Sequence, residues 1–292
     1  MARALVFGIT GQDGFYLTQI LEREHIEVIG VSRNNEEFIT GNLSDFTFVE
    51  NLIKEIQPEY IFHLAANSVT HHNALFENYE SISTGTLNIL ESVYRNNLNC
   101  KVFISGSAIQ FKNEGGPINE ETDFEASSAY SLARIQSVYT ARYYRKLGLK
   151  VYVGYFFNHD SPLRNEHHIN KKITNAINKI KSGISETVEI GDLDAEKEFN
   201  FAGDMMEAVW VLVNQDSVTE AVLGSGKSYP VKDWIKICAE ITGVEDIFNY
   251  IKKNESYKSP YKKLVSDPTK IKNLGWKPKV NMKKLAELML KN

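Results

Sequence analysis

The run Gly8-Ile9-Thr10-Gly11-Gln12-Asp13-Gly14 follows the apolar stretch Ala4-Leu5-Val6-Phe7 without a break. Glycines spaced GxxGxxG permit a tight turn and let backbone approach a ligand closely. An amphipathic stretch, Tyr16-Leu17-Thr18-Gln19-Ile20-Leu21, comes next. Strand, glycine turn and helix in this order make a dinucleotide-binding unit, in which the positive end of the helix and its free N–H groups face a pyrophosphate. Elsewhere in a chain three glycines would mean only a turn. At the first strand–helix junction they point to a nucleotide, held by Gly8, Thr10, Gly11, Gln12, Asp13 and Gly14.

Strand and helix patterns then alternate. Glu27–Ser32 reads as a strand, Phe48–Ile56 as a helix ended by Pro58, Tyr60–Leu64 as a buried strand, and Thr84–Tyr94 as a helix. Lys101–Ser105 is a further strand, Ala129–Leu147 a long tyrosine-rich helix, and Lys150–Phe156 the next strand. This alternation predicts an α/β fold, a Rossmann-like doubly wound parallel sheet covered by helices on both faces. After Asn158 the pattern loosens. Helices at Ile169–Lys181, at Asp204–Val213 and from Met282 suggest a smaller C-terminal substrate lobe. The expected division is residues 1–157 for the dinucleotide-binding domain and 158–292 mainly for the lobe, with some segments returning to the first. A lobe beyond the carboxyl ends of the strands would close over a substrate.

Composition excludes more than it assigns. A net charge of −4 with no basic run argues against nucleic acid or a membrane surface as partner. No apolar run approaches the roughly 20 residues that span a bilayer. Cys100 and Cys238 lie far apart, without metal-ligand spacing, and the first residues run directly into a strand. A reducing, cytoplasmic setting is therefore expected. His71-His72 and His167-His168 are adjacent pairs whose side chains diverge, so no metal site is expected.

The glycine loop, Gly41-Asn42-Leu43-Ser44-Asp45, His63-Leu64-Ala65-Ala66 and Tyr130-Ser131-Leu132-Ala133-Arg134 stand in one order along the chain. That order resembles the extended short-chain dehydrogenases/reductases. Phe157-Asn158-His159-Asp160-Ser161-Pro162-Leu163-Arg164, Gly191-Asp192-Leu193-Asp194-Ala195, and Asp267-Pro268 through Gly275-Trp276-Lys277-Pro278 narrow it. With them the chain resembles GDP-mannose 4,6-dehydratases and the related GDP-4-keto-6-deoxymannose reductases over nearly its whole length. Its size is nearer that of the reductases.

The resemblance places Asn42, Leu43, Leu64, Ala65 and Ala66 at the cofactor and Ser68 and Asn158 at the substrate. Arg33 follows the second strand, where an adenosine ribose lies in this fold. Arginine there suits a 2′-phosphate and favours NADP(H), with NAD(H) still possible. Arg164, Lys171 and Lys172 match cations near the nucleotide diphosphate of a GDP-linked sugar, and Lys197 stands where relatives carry arginine. Relatives associate through two helices per subunit, matched by Asn78–Tyr94 and Ala129–Leu147, so a homodimer or homotetramer is expected.

Hydride chemistry at a sugar hydroxyl needs a group that removes or returns the proton. In these families a tyrosine does so, supported by a lysine four residues on and a Ser or Thr at the preceding strand end. Tyr130 matches the tyrosine, but Arg134 replaces the lysine. Arginine keeps the positive charge without reproducing an ammonium's contacts. Gly106 falls on the Ser/Thr position; Ser105 or Ser107 could substitute only if the backbone shifts, and Ser107 is taken as the candidate. Ala108 stands where dehydratases carry the glutamate that takes the C5 proton. Glu114, Glu120 and Glu121 are the nearby acids that could replace it. The main expectation is therefore an NAD(P)-dependent 4-keto reductase or C4 dehydrogenase of a GDP-linked sugar, with Tyr130, Arg134 and Ser107 catalytic. The alternatives are a 4,6-dehydratase with a displaced base, an epimerase, or a non-catalytic nucleotide-binding homologue.

Overall fold

Apolar runs of four to seven residues between turn signals form strands buried on both faces, and this chain has one after nearly every helix. The computed structural model describes residues 2–67, 69–184, 187–257 and 259–291. β1 (Arg3–Phe7) turns at Gly8 into α1 (Gln12–Arg23), followed by β2 (Glu27–Ser32), β3 (Ile39–Thr40), α2 (Phe46–Ile56) and β4 (Tyr60–His63). α3 (Leu75–Asn78) and α4 (Gly85–Arg95) are joined end to end by a π-helical stretch, Tyr79–Thr84. β5 (Lys101–Ser107), β6 (Pro117–Ile118), α5 (Ala129–Lys146) and β7 (Lys150–Phe156) complete the first part.

Beyond Phe156 come β8 (His159–Asp160), α6 (Ile169–Lys181), β9 (Val188–Ile190), β10 (Glu196–Glu198) and β11 (Asn200–Phe201). α7 (Ala202–Val213), β12 (Glu220–Leu223), β13 (Ser228–Pro230) and α8 (Val231–Thr242) follow. β14 (Ile251–Lys253), β15 (Lys263–Ser266), α9 (Thr269–Asn273) and α10 (Met282–Leu290) close the chain.

The main sheet is parallel throughout, in the order β12-β7-β5-β4-β1-β2-β3. The order reverses direction at β1, so the glycine turn and the end of β4 flank a crevice where such sheets hold ligands. α2, α4 and α5 cover one face with Val49, Ile53, Ile89, Val93, Val138 and Ala141. α1 and α7 cover the other with Leu17, Ile20, Met205, Val209 and Leu212. A third cluster around Trp234, Ile235, Ile173 and Leu285 forms the core of the smaller lobe, between α6, α8 and α10. Both α7 and β12 lie beyond residue 157 in sequence yet belong to the main sheet and its cover.

Most boundaries fall within two residues of the sequence reading, and two of the differences have clear local reasons. α2 begins at Phe46 rather than Phe48 because the Asp45 side chain caps it, accepting from Phe48 N at 3.1 Å. The helix expected from Thr84 is preceded by the π stretch, whose wider turn follows no 3.6-residue period. α8 is not anticipated by the sequence reading at all.

Candidate active site

Gly8, at φ +91°, carries the chain from β1 toward α1. A Cβ on Gly8 would stand 2.7 Å from Ala65 N, and one on Gly14 would stand 2.5 Å from Ile9 O. Both glycines are therefore required, the first for passage beside the end of β4 and the second for seating α1 on β1. Gly11 caps α1 without a side-chain hydrogen bond, leaving the first-turn N–H groups open to an anion. The crevice beside them has about 720 Å³ of open volume. Gly8, Thr10, Gly11, Arg33, Asn42, Leu43, Leu64, Ala65 and Ala66 line it, together with Ser81 of the π stretch. These residues fit an elongated dinucleotide: a glycine cradle that a Cβ would fill, a helix N-terminus, and the exposed Arg33.

Gln12 and Asp13 point elsewhere. Gln12 Oε1 accepts from Ser161 Oγ at 2.8 Å, and Asp13 lies 3.1 Å from His159 Nε2. Both tie the glycine turn to the segment that leaves β7. Burial opposes their charges, yet each partner holds the other: the Asp13 carboxyl lies below its ordinary value and the His159 imidazole above its own.

Tyr130 sits on the first turn of α5. Ser128 and Ser131 cap that turn reciprocally, with Ser131 N donating to Ser128 Oγ at 3.1 Å and Ser128 N to Ser131 Oγ at 2.8 Å. The Tyr130 ring packs with Ile82 and Ala133, and Ala66 of the crevice wall lies against that group. Arg134, one turn on, is 4% exposed. Its Nη1 donates to the Ser105 carbonyl and, at 2.7 Å, to Ser105 Oγ, and its Cζ stands 5.1 Å from the Tyr130 ring centroid. No carboxylate pairs with it among the described residues. Behind it His63 is fully buried; burial, with the nearby Arg134 charge, pushes its imidazole down to about 3.

Gly106 occupies the strand-end position, and a Cβ there would meet Tyr155 Cδ1 at 2.7 Å. The neighbouring Ser107 closes a tight turn, its N–H donating to Gln110 Oε1 at 2.8 Å. Ala108 is buried in the apolar cluster with Phe111 and Ile118. Two of the three acids considered as replacements are engaged by other groups, and the third faces solvent. Glu114 is exposed and pairs with Lys112, and Glu120 accepts from Val222 N at 2.7 Å and pairs with Lys270. Glu121 is exposed on the turn after Asn119.

The other candidates gather beyond β7. Asp160 is fully buried; its Oδ2 accepts from Asn170 Nδ2 at 2.6 Å, and Arg164 Nε and His168 Nδ1 stand 3.3 and 3.1 Å from its Oδ1. Burial works against the ionised form of Asp160, but the bond from His168 and the nearby cations hold its carboxyl at about 2. Lys197 donates to Asn170 Oδ1 at 3.1 Å, and burial lowers its amine to about 8. Lys171 donates to Pro162 O at 3.0 Å. Lys172 turns outward to Glu189 O, apart from the others. Lys197 also walls a second cavity of about 240 Å³ with Tyr257, Tyr261, Ile169 and Val231. The Tyr261 hydroxyl meets the Asn158 side chain, and burial pushes it up to about 12. Ser68 lies outside the described residues.

Residues 5–289 match the family described as GDP-mannose 4,6 dehydratase. The chain belongs to the GDP-mannose 4,6-dehydratase family. GDP-mannose 4,6 dehydratase 1 of Arabidopsis thaliana is 31% identical over 319 residues, covering 98% of this chain and 88% of the relative. GDP-mannose 4,6-dehydratase of Yersinia enterocolitica is 28% identical, covering 99% and 93%. The fold is that of RMD from Pseudomonas aeruginosa complexed with NADPH, at TM-score 0.85 and 19% identity, covering 100% of this chain and 97% of that one. A Thermus thermophilus UDP-glucose 4-epimerase complexed with NAD superposes at TM-score 0.84 and 20% identity, covering 99% and 98%. These relatives favour the dehydratase alternative of the sequence reading over its 4-keto reductase.

Several residues of the candidate site have no local signal in the sequence. Ser81 reaches the crevice only because the π stretch rotates it there. Ser105 is visible as a strand-end serine, but its role in holding Arg134 is not. Tyr257 and Tyr261 fall in a stretch without periodicity.

Proposed function

We propose that the protein is a nicotinamide-dependent enzyme of the GDP-mannose 4,6-dehydratase type that performs hydride chemistry at C4 of a GDP-linked sugar. A bound nicotinamide dinucleotide would supply the hydride acceptor and donor. The chain supplies the rest. Gly8, Thr10, Gly11, Asn42, Leu43 and Leu64–Ala66 would hold the dinucleotide, and Arg33 would take a 2′-phosphate, so that NADP(H) is favoured over NAD(H). Tyr130 exchanges the proton of the C4 hydroxyl, with the Arg134 charge beside its ring. Asn158 contacts the sugar. Arg164, Lys171 and Lys197 neutralise the diphosphate, and the Tyr257–Tyr261 cavity takes the base.

The observation that carries this reading is Tyr130: its ring is buried against the crevice wall, with a cation one turn on and no hydrogen-bond partner for its hydroxyl among the described residues. With the hydride exchanged at a bound nicotinamide, oxidation or reduction at C4 would need only that proton exchange from the protein. The second reading is full 4,6-dehydration, in which C4 oxidation is followed by loss of water across C5 and C6. The names of the curated relatives favour it. It needs a base at C5, and the apolar Ala108 site offers none.

Mass spectrometry after incubation with GDP-mannose and other GDP-linked sugars, with either oxidised or reduced nicotinamide, separates the readings. A product lighter by two hydrogens, or a 4-keto sugar gaining two, supports C4 chemistry alone. A product lighter by one water establishes dehydration. An unchanged mass with altered chromatographic retention marks C4 epimerisation, whereas no change in mass or retention of any GDP-sugar under either condition overturns both and leaves a binding protein. Phe76, Leu87, Tyr94, Tyr139, Tyr143 and Leu147 are exposed along α3, α4 and α5. We infer that they meet in a homodimer, which sedimentation equilibrium tests.

A further inference from the structure

His159 follows Asn158, and each of its ring nitrogens faces an acceptor. Nδ1 lies 2.8 Å from Phe157 O, a carbonyl that can only accept. Nε2 lies 3.1 and 3.2 Å from the two Asp13 oxygens. A neutral imidazole has one donor and one acceptor and cannot satisfy both sides. A neutral ring would fit only against a protonated Asp13; the Asp13 carboxyl lies below its ordinary value, and against an ionised carboxylate the two contacts call for a doubly protonated ring.

The same two turns are joined again through Gln12, the residue before Asp13. Gln12 Nε2 donates to His159 O at 3.4 Å, and Ser161 Oγ donates to Gln12 Oε1 at 2.8 Å. Asn158 is fixed from the far side, its carbonyl accepting from Asn200 N at 3.3 Å and Asn200 Nδ2 at 3.0 Å. The residue assigned to the sugar thus hangs between a clamp to the glycine turn and a strand of the second lobe. The two partners are 146 residues apart in sequence.

We propose that His159, held as an imidazolium between Phe157 O and Asp13, is a positioning residue that sets Asn158 against the Gly8–Gly14 turn. Cofactor seating and sugar placement then respond together to one charge. The inference rests on the proposed nicotinamide and GDP-sugar reading for what the two elements bind, but not for the clamp itself.

The charged groups facing the clamp are Asp13 on α1, and Asp160 and Arg164 on the segment after β7. Arg164 works against the imidazolium, and Asp13 outweighs it. The sign follows. His159 is raised above its ordinary 6.5, so the clamp is complete below that pH and is lost as pH rises through the raised value. Asp13 is lowered, so the acid limit lies below its ordinary 3.8.

Two measurements on the full chain test this. Nitrogen-15 NMR of the histidine rings should show His159 with both nitrogens protonated above the ordinary histidine range, and Asp13→Asn should return it to that range. Asn keeps the shape of the carboxylate and an acceptor oxygen, so the variant removes charge rather than packing. In parallel, NADPH and GDP affinities are titrated from about pH 6 to pH 9, where histidine charge changes. NADPH affinity should fall with rising pH in the natural chain. In His159→Gln it should be about tenfold weaker at the acid end, the worth of one charge-assisted hydrogen bond, and flat with pH. The double variant should lose no more than either single one. A purely structural clamp would lower the unfolding temperature without moving the pH profile. A His159 ring titrating at or below 6.5, or identical pH profiles for the natural chain and His159→Gln, overturns the proposal. Failure to turn over any GDP-sugar would overturn the activity instead, and leaves the NMR and binding readouts intact.

Discussion

Arg134 is anchored to Ser105, not to a carboxylate: its Nη1 reaches Ser105 Oγ at 2.7 Å and the Ser105 carbonyl beside it. A buried guanidinium with only neutral partners is costly to the fold. Its place one turn from Tyr130 gives the reason to keep it. Arg134→Met, apolar and of similar length, should leave the unfolding free energy unchanged or raise it by about 1 kcal/mol. The same change should slow hydride transfer by about a hundredfold, the lower end of what assisted proton transfer contributes. Chemical denaturation and single-turnover absorbance of the nicotinamide check the two halves separately. A variant that is both less stable and fully active would show that Arg134 serves packing alone.

The backbone at Gly106 has no room for a side chain. The Tyr155 ring fills the space its Cβ would need, and the ring is held in place because the Tyr155 hydroxyl donates to Glu220 Oε2 at 2.6 Å. Gly106→Ala should cost about 1–3 kcal/mol through overpacking, and Gly106→Thr more. Neither should raise the rate of C4 hydride transfer. Urea midpoints for the two variants, with activity at a temperature where both are folded, settle it; a stable and faster Gly106→Thr would contradict the assignment of that space to Tyr155.

Glu220 makes stability depend on acid. It accepts from Arg142 Nε at 3.0 Å, Arg142 Nη2 at 2.7 Å, Tyr155 Oη and Arg145. Burial opposes its charge, but those donors hold its carboxyl at about 2 against an ordinary 4.5. The unfolded chain therefore binds the proton first, so the stabilisation is full above 4.5 and is lost as pH falls toward 2. Unfolding temperature measured across that window should drop steeply in the natural chain. Glu220→Gln should start lower and show a shallower slope, and equal slopes would remove Glu220 from the account of acid sensitivity.

Sequence and structure agree most closely where one element carries its own signal. The apolar runs Glu27–Ser32 and Lys150–Phe156 and the periodic Ile169–Lys181 have the bounds the residues suggest. α8 escapes the reading although Val231, Trp234, Ile235, Cys238 and Ala239 make a helical stripe, because it starts directly from a short strand at Pro230. The site divides in the same way. The glycine turn and the Tyr130–Arg134 spacing are local and readable. The direction of the Arg134 guanidinium, the π stretch that brings Ser81 to the crevice, and the Asp13–His159 pair depend on contacts between distant segments. The substitutions at Gly106 and Ala108 can be read in the sequence, whereas the filling of that space by Tyr155 and the engagement of Glu120 by Val222 cannot.

Lys197 gives a test of the second cavity that does not depend on turnover. Burial lowers its amine to about 8, with Asp160 supporting the charge and Arg164 opposing it. Above that pH the free protein carries Lys197 largely neutral. A nucleotide diphosphate beside it would favour the ammonium, so binding should take up as much as one proton per GDP between about pH 8 and its ordinary 10.5. Calorimetric titration of GDP in buffers with different ionisation heats measures that uptake directly. Lys197→Met should abolish it and weaken GDP by about tenfold, the scale of a lost charge-assisted hydrogen bond. Lys172→Met should change neither, because the Lys172 amine is spent on Glu189 O at the outer face. Uptake that persists in Lys197→Met would move the diphosphate to other cations and would separate the cavity of Tyr257 and Tyr261 from nucleotide binding.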